Sequence, residues 1–352
     1  MKQLVKIRTI ILGLLLLSAV VANAQHEKVI AAYTFLKQNN LDSAKANIDA
    51  AILHPKTAND PDAWYYRGFI YKTIYNTNEK GKMHAASRLE SLNSFKKSIL
   101  LDTAKEYFSD NIGSLKYLAN TFHNDAAESL ELFDYKTAIE LFNKSQECFK
   151  LIDPSPAANQ EKEIEFDLAL GSVYYSIIES SKKDSAKTYK FLNLAKALYN
   201  RVLLLDPDNI SANYQMGILY YNQAVNLVLA QDIDADLVDI TRVIDNSTKL
   251  FKESLPFMEK AYTLAPTRIE TLQGLTGIYW SLNEPEKSNI YKQKLNEIRG
   301  FKVGDKVQWV ESSIIKKGVI TVLVDAEECM VKEDGKEKSK PLKFSILTKV
   351  NE

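Results

Sequence analysis

The chain has 352 residues, 45 of them basic and 45 acidic, with 10% aromatic residues and two cysteines. Balanced charge argues against the basic face that nucleic-acid binding demands, and two cysteines are too few to frame a disulfide-stapled miniprotein. The length is ample for an extended buried core.

In chain order, Lys2, Lys6 and Arg8 precede an apolar run from Ile10 to Val21, interrupted only by Gly13 and Ser18, and then comes Ala22-Asn23-Ala24. A basic start, a run too short to span a bilayer and small residues at a cleavage point predict a secretory signal peptide over 1–24. Gln25 is then the first mature residue. The competing reading is an uncleaved anchor, but nothing after Ala24 continues the hydrophobic stretch, and no cysteine at the cleavage point would accept a lipid. Removing Lys2, Lys6 and Arg8 leaves 42 basic against 45 acidic residues, a mature net charge of −3. The expected location is therefore outside the cytoplasm, periplasmic or secreted, with no membrane span after cleavage. Export would permit a disulfide, yet nothing local brings Cys148 and Cys329 within the roughly 7 Å that a bridge requires between Cα atoms.

From Gln25 to about Arg299 the chain is helix-forming, with 3.6-residue periodicity and proline mostly at segment ends. Trp64, Gly68 and Tyr71 stand at W-x3-G-x2-Y spacing, and the same slots recur as Asp167, Gly171, Tyr174 and as Asn213, Gly217, Tyr220. A second half-pattern follows: Ala195, Tyr199, Val202 and Pro207 match Ser254, Met258, Ala261 and Pro266 at identical spacing. Ser91, Phe95 and Ser98 fit it, as do Ala44, Ile48 and Ala51.

On these residues the chain resembles the tetratricopeptide repeat family, whose unit is two antiparallel helices in about 34 residues. The resemblance implies a mostly α fold, an α-solenoid over 25–299. Its units lie near 25–56, 60–103, 106–154, 162–207, 210–266 and 268–299. Gly68, Gly171 and Gly217 are expected to let paired helices approach closely, with Tyr71, Tyr174 and Tyr220 filling the space beside them, while Pro207 and Pro266 begin the next helices. Extra residues near Asn76–Ser87, Ile177–Leu192 and Asn222–Lys249 are expected to lengthen helices or add rim loops, Gln231–Asp239 among them.

A repeat array offers a long surface, so its usual chemistry is recognition of a protein or peptide. On the family pattern the first helix of each unit supplies the concave face. Carried over, that points to Tyr65, Phe69 and Lys72, to Leu168, Ser172 and Tyr175, to Tyr214, Ile218, Tyr221 and Asn222, and to Trp280. The mixture is aromatic with few charges, unlike a carboxylate clamp, and suits an apolar or extended partner segment. Packing of these rings against the next unit is the competing reading.

At Gly300 alternation replaces helical periodicity. Phe301–Trp309, Lys317–Val324, Glu328–Val331 and Ser345–Thr348 read as short strands, with a turn at Glu333-Asp334-Gly335-Lys336. The V-G-D-x-V opening followed by a G-V-I strand resembles small SH3-like barrels of the Tudor or KOW kind, which places an antiparallel β-barrel domain over 300–352. Phe301, Trp309 and Phe344 are expected in its core rather than in a ligand cage.

Catalytic signatures are missing from the sequence. His26, His54, His84 and His123 lie far apart, with no i, i+4 pair to present a metal. There is no G-x-S-x-G and no phosphate-cradling glycine loop. Glu161, Glu163, Glu165 and Asp167 read as a solvated stretch before a helix. The expectation is therefore a non-enzymatic scaffold without cofactor or metal, holding an envelope protein or peptide and no nucleic acid. The alternative is a solute-binding or glycan-binding envelope protein of the SusD-like kind, although those are usually longer and lipid-anchored.

Overall fold

The computed structural model describes residues 26–181, 184–231, 236–311, 314–324 and 328–350. Positions 1–24, where a signal peptide is expected, and positions 232–235 of the charged stretch lie outside the described residues. Contacts divide the chain into two compact units, one up to Phe166 and one from Asp167.

The first unit holds helix α1 (residues 26–37), α2 (Leu41–Ile52), α3 (Pro61–Ile74), α4 (Ala86–Leu101), α5 (Phe108–Glu131) and α6 (Tyr135–Ile152). Asn40, Asp60 and Asp134 cap α2, α3 and α6, each side chain accepting from a backbone N–H at the helix start. Val29 and Ala32 of α1 pack with Ala44 and Ile48 of α2 and with Ala63 and Ile70 of α3. A π-turn over Tyr75–Glu79 extends α3, and Glu79 reaches forward to accept from the Ser87 backbone N–H at the start of α4 at 3.0 Å. Arg88 is completely enclosed, yet its guanidinium is answered by Asp125 and the Met83 carbonyl at 2.7 Å. Its planar face lies 4.2 Å from the Phe122 ring. Removing either charge of this pair would strand the other in a dry interior.

Helix α7 (Gln160–Ser180) precedes α8 (Ser185–Leu205), α9 (Ile210–Leu229), α10 (Leu237–Leu264), α11 (Ile269–Ser281) and α12 (Pro285–Arg299). The extra residues of the later repeats lengthen helices: α9 has 20 residues and α10 has 28. Pro207 and Pro266 do not begin helices. Helix α9 opens at Ile210 behind the cap Asn209, and α11 at Ile269 behind Arg268. The prolines directly follow Asp206 and Ala265, where α8 and α10 end. A residue without an N–H cannot extend the preceding helix, so each proline acts as a stop. Phe251, Met258, Leu275 and Ile278 form the core of the last two hairpins. Among the described residues no helix is long and apolar enough to cross a membrane.

After α12 the chain turns at Gly300, whose φ of 71° is the left-handed cap geometry. Five antiparallel strands follow: β1 (Lys306–Glu311), β2 (Ile314–Leu323), β3 (Glu328–Glu333), β4 (Ser339–Lys343) and β5 (Thr348–Lys349), in the order β4-β3-β2-β1-β5. Period-two alternation sends Val307, Trp309, Ile320, Cys329 and Val331 to one side as a core. The Phe301 and Phe344 rings stack beside it at 5.3 Å.

Candidate functional site

The residues carried over from the repeat pattern fall into three places. In the first unit Tyr65 stacks on Tyr107 of the α4–α5 turn with centroids 4.7 Å apart, and meets Tyr66 edge-on at 5.1 Å. Burial and the neighbouring Asp110 carboxylate push its phenol up to about 12. Lys72 donates to Ser114 Oγ at 2.9 Å and sits 4.4 Å over the Phe69 ring. Burial holds that ammonium below the ordinary lysine range. The Tyr65 and Lys72 contacts join α3 to its neighbour on the α5 side, leaving Phe69 partly exposed.

In the second unit Tyr175 and Asn222 come together, Asn222 Nδ2 donating to Tyr175 Oη at 2.7 Å. They line a cavity of about 500 Å³ between α7, α8 and α9. Tyr214, Tyr221 and Trp280 instead line a cleft of about 800 Å³ walled by α9, α11 and α12. Its floor depends on two glycines of α11. A Cβ on Gly277 would stand 2.7 Å from Tyr221 Oη, and one on Gly274 would stand 2.6 Å from Met258 Cε. Arg268 covers the outer face of Tyr214 at 4.1 Å, while Trp280 is 70% exposed. Two carboxamides the repeat pattern did not mark, Gln273 and Asn289, face the same cleft. Lys292 crosses from α12 to the carbonyl of Val324 at the end of β2. Gln273 was findable, since it lies two helical turns before Trp280 on one face. Asn289 was not, because the pattern assigns no surface to a second helix.

Asp167 departs from the sequence reading. The acidic stretch lies inside α7, with Glu161 and Glu163 in its first turn, but Asp167 is fully enclosed and is met by the Arg201 guanidinium. Its burial raises the carboxyl above the usual range, against the pull of Arg201. It occupies the slot that holds Trp64 in the second repeat, so an ion pair across the hairpin stands in for an aromatic ring. Cys148 and Cys329 are both buried free thiols, pushed up to about 12 and about 11 by burial. Among the described residues no group of three histidine, cysteine or acidic side chains converges as metal ligands.

The interlock of the hairpins repeats in detail. A Cβ at Gly68 would stand 2.6 Å from the Phe95 ring, one at Gly171 would stand 2.5 Å from Tyr199, and one at Gly217 would stand 2.6 Å from Met258. Serines on the second helices lock the same approach: Ser91 Oγ donates to the Gly68 carbonyl at 2.8 Å, Ser145 to Ala119 at 2.9 Å and Ser254 to Gly217 at 2.7 Å. The helical region has the tetratricopeptide-repeat fold. The third tetratricopeptide hairpin, which lacks the glycine in sequence, uses Ala119 for it. No family model matches the sequence, and no curated protein matches it. Solved structures similar to the chain include that of Pseudomonas aeruginosa PilF, 12% identical, covering 80% of this chain and 94% of that one with a TM-score of 0.32. PilW, described as a widely conserved type IV pilus biogenesis factor, is 16% identical over 79% of this chain and 95% of its own, with a TM-score of 0.29. MamA is 17% identical over 66% of this chain and 92% of its own, with a TM-score of 0.31.

Proposed function

We propose that the protein is an exported, non-enzymatic adaptor that holds an extended segment of an envelope protein in the cleft of Tyr214, Tyr221, Gln273, Trp280 and Asn289. Export rests on the charge, apolar and small-residue pattern of residues 1–24.

The observation that carries the binding reading is the composition of that cleft. Ring surface from two tyrosines and a tryptophan stands beside two carboxamides, Gln273 and Asn289. Tyrosine and tryptophan supply large contact area with few rotatable bonds. A carboxamide offers both a donor and an acceptor, the pair that an extended main chain presents in return. The volume of about 800 Å³ sits within the range of evolved ligand clefts, about 300–1,000 Å³. Among the described residues nothing in the cleft pairs a nucleophile with a base, and binding accounts for the arrangement without chemistry.

Peptide-display selection against the mature chain, followed by titration of a selected peptide, tests this. Trp280→Ala and Gln273→Ala are each expected to weaken binding at least about tenfold, or about 1.4 kcal/mol. Their melting curves should stay close to wild type, because Trp280 is mostly in solvent. Peptides that bind equally to both variants would remove the cleft from the reading. Saturable glycan binding that depends on Trp280, with no peptide selected, would move the protein to the solute-binding class.

A further inference from the structure

We propose that the outward face of the terminal sheet docks an extended acidic segment of a partner protein, whose carboxylates at alternate residues meet Lys317 and Lys332.

The inference starts from strand parity. Successive side chains of a strand point to opposite faces of the sheet, and Val307, Trp309, Ile320, Cys329 and Val331 all turn to the core. Residues one position away from them turn outward. Cross-strand register sets these outward residues side by side: Lys306 stands opposite Val319, Val319 opposite Lys332, and Gln308 opposite Lys317. Lys317 of β2 is therefore the diagonal neighbour of Lys332 on β3 and of Lys306 on β1. All three lysines are exposed, and all lie within described strands.

The charges of the sheet are sorted between its two faces. Glu311 and Glu333 share the parity of the core, and there they meet Lys340 at 2.8 and 3.4 Å and, for Glu333, Lys316 at 3.0 Å. Among the described strand residues of outward parity the one carboxylate is Glu328, which stands opposite Lys343 at the far end of β3. Asp305, next to Lys306, is answered by Lys349 at 2.7 Å. The turn after β3 sets the exposed Asp334 and Glu337 against the exposed Lys336 and Lys338, so it is neutral as a whole. The excess positive charge of the sheet thus gathers on its outward face.

Charge and spacing together select the occupant. Diagonal neighbours on antiparallel strands stand about 7–8 Å apart, close to the roughly 7 Å between alternate side chains of an extended chain. Acidic residues two positions apart in such a chain therefore reach Lys317 and Lys332 together, and complementary charge of this kind fixes register and orientation. The exposed Val310, Ile315 and Val322 flank the lysines and offer contact to apolar side chains of the same segment. Other polyanions fit less well. Among the described strand residues the outward face carries no aromatic ring on which a nucleic-acid base would stack, and its lysines are fewer than the about four to eight that mark an anionic-lipid patch.

Fluorescence anisotropy of a short labelled peptide in which glutamate alternates with threonine, titrated with the mature chain at low ionic strength, tests the proposal. Saturable binding that weakens as salt rises is expected. Lys317→Glu and Lys332→Glu should each weaken it at least about fivefold, while Lys336→Glu, the same change of charge in the turn, should leave it within about twofold. A peptide with the same glutamates gathered in one block should bind at least about fivefold more weakly than the alternating one. Melting curves of the Lys317 and Lys332 variants should not fall, because each change relieves repulsion between lysines. If a glutamate variant does melt early, Lys317→Gln and Lys332→Gln carry the test, each weakening binding at least about twofold. Absence of saturable binding overturns the proposal, as does an equal loss in Lys336→Glu or equal binding of the block peptide. Phosphatidylglycerol vesicles or oligothymidylate bound in a Lys332-dependent way, with the peptide left unbound, would assign the lysines to phosphate groups and overturn it too.

Discussion

At the scale of single residues, the fold rests on how closely two helices can approach. The Gly68 backbone lies against the Phe95 ring, and any Cβ there would enter the ring's van der Waals envelope. Gly113 in α5 faces open space, with no neighbouring atom within 4 Å of where a methyl group would stand. The two glycines therefore predict opposite outcomes for one substitution. Gly113→Ala should leave stability unchanged or raise it by up to about 1 kcal/mol, the ordinary gain of alanine over glycine in a helix. Gly68→Ala should lose about 1–3 kcal/mol net of that gain, since overpacking forces the ring or the helix to move. Thermal melts of the two variants side by side check this. If both behave alike, close approach at the glycine slot is not what holds the hairpin. The slots themselves were legible in sequence, because W-x3-G-x2-Y recurs in phase. Asp167 was not: it stands where an aromatic was expected, and only the arrival of Arg201 from α8 explains a buried carboxylate there.

At the scale of elements, α10 runs 28 residues through Pro256. Proline removes one N–H from the ladder, and its ring crowds the carbonyl four residues earlier, at a cost of about 3 kcal/mol in a helix interior. Pro256 is exposed, so its ring fills no core space that alanine would vacate. Pro256→Ala should therefore raise stability by about 1–3 kcal/mol and increase the melting temperature by several degrees. A fall instead would show that the backbone geometry proline imposes is needed to seat Met258 between Gly217 and Gly274, the two backbones it lies against. Repeat length was readable from the spacing of small and aromatic residues. Helix ends were less so, because Pro207 and Pro266 serve equally well as starts or stops until the caps Asn209 and Arg268 are seen in place.

At the scale of the whole molecule, the two buried thiols report separately on two kinds of core. Cys148 sits in α6 within the first compact unit, and Cys329 sits in the small β-sheet core. Neither forms thiolate readily, because burial lifts both well above neutral pH. A disulfide reagent at pH 8 should leave the native chain unlabelled and should find both thiols in denaturant. A core of some fifty residues is marginal by itself, and repeat arrays lose structure in segments rather than all at once. Pulse labelling across a denaturant series should therefore reach Cys329 at lower denaturant than Cys148. Simultaneous labelling would mean that sheet and helices unfold as one.

The sequence by itself determined the periodicities, and with them the helical hairpins and the change to strands after Gly300, since burial of one face is written into local spacing. It also marked Tyr214, Tyr221 and Trp280 as lying on first helices. Only the tertiary structure decided that these three share a cleft while Tyr175 and Asn222 line another cavity. It alone brought Gln273 and Asn289 beside the rings and set Lys317 and Lys332 on neighbouring strands of one sheet face. Local spacing fixes which way a side chain leaves its own helix, but what it then meets depends on residues tens of positions away, and no local pattern encodes those distances.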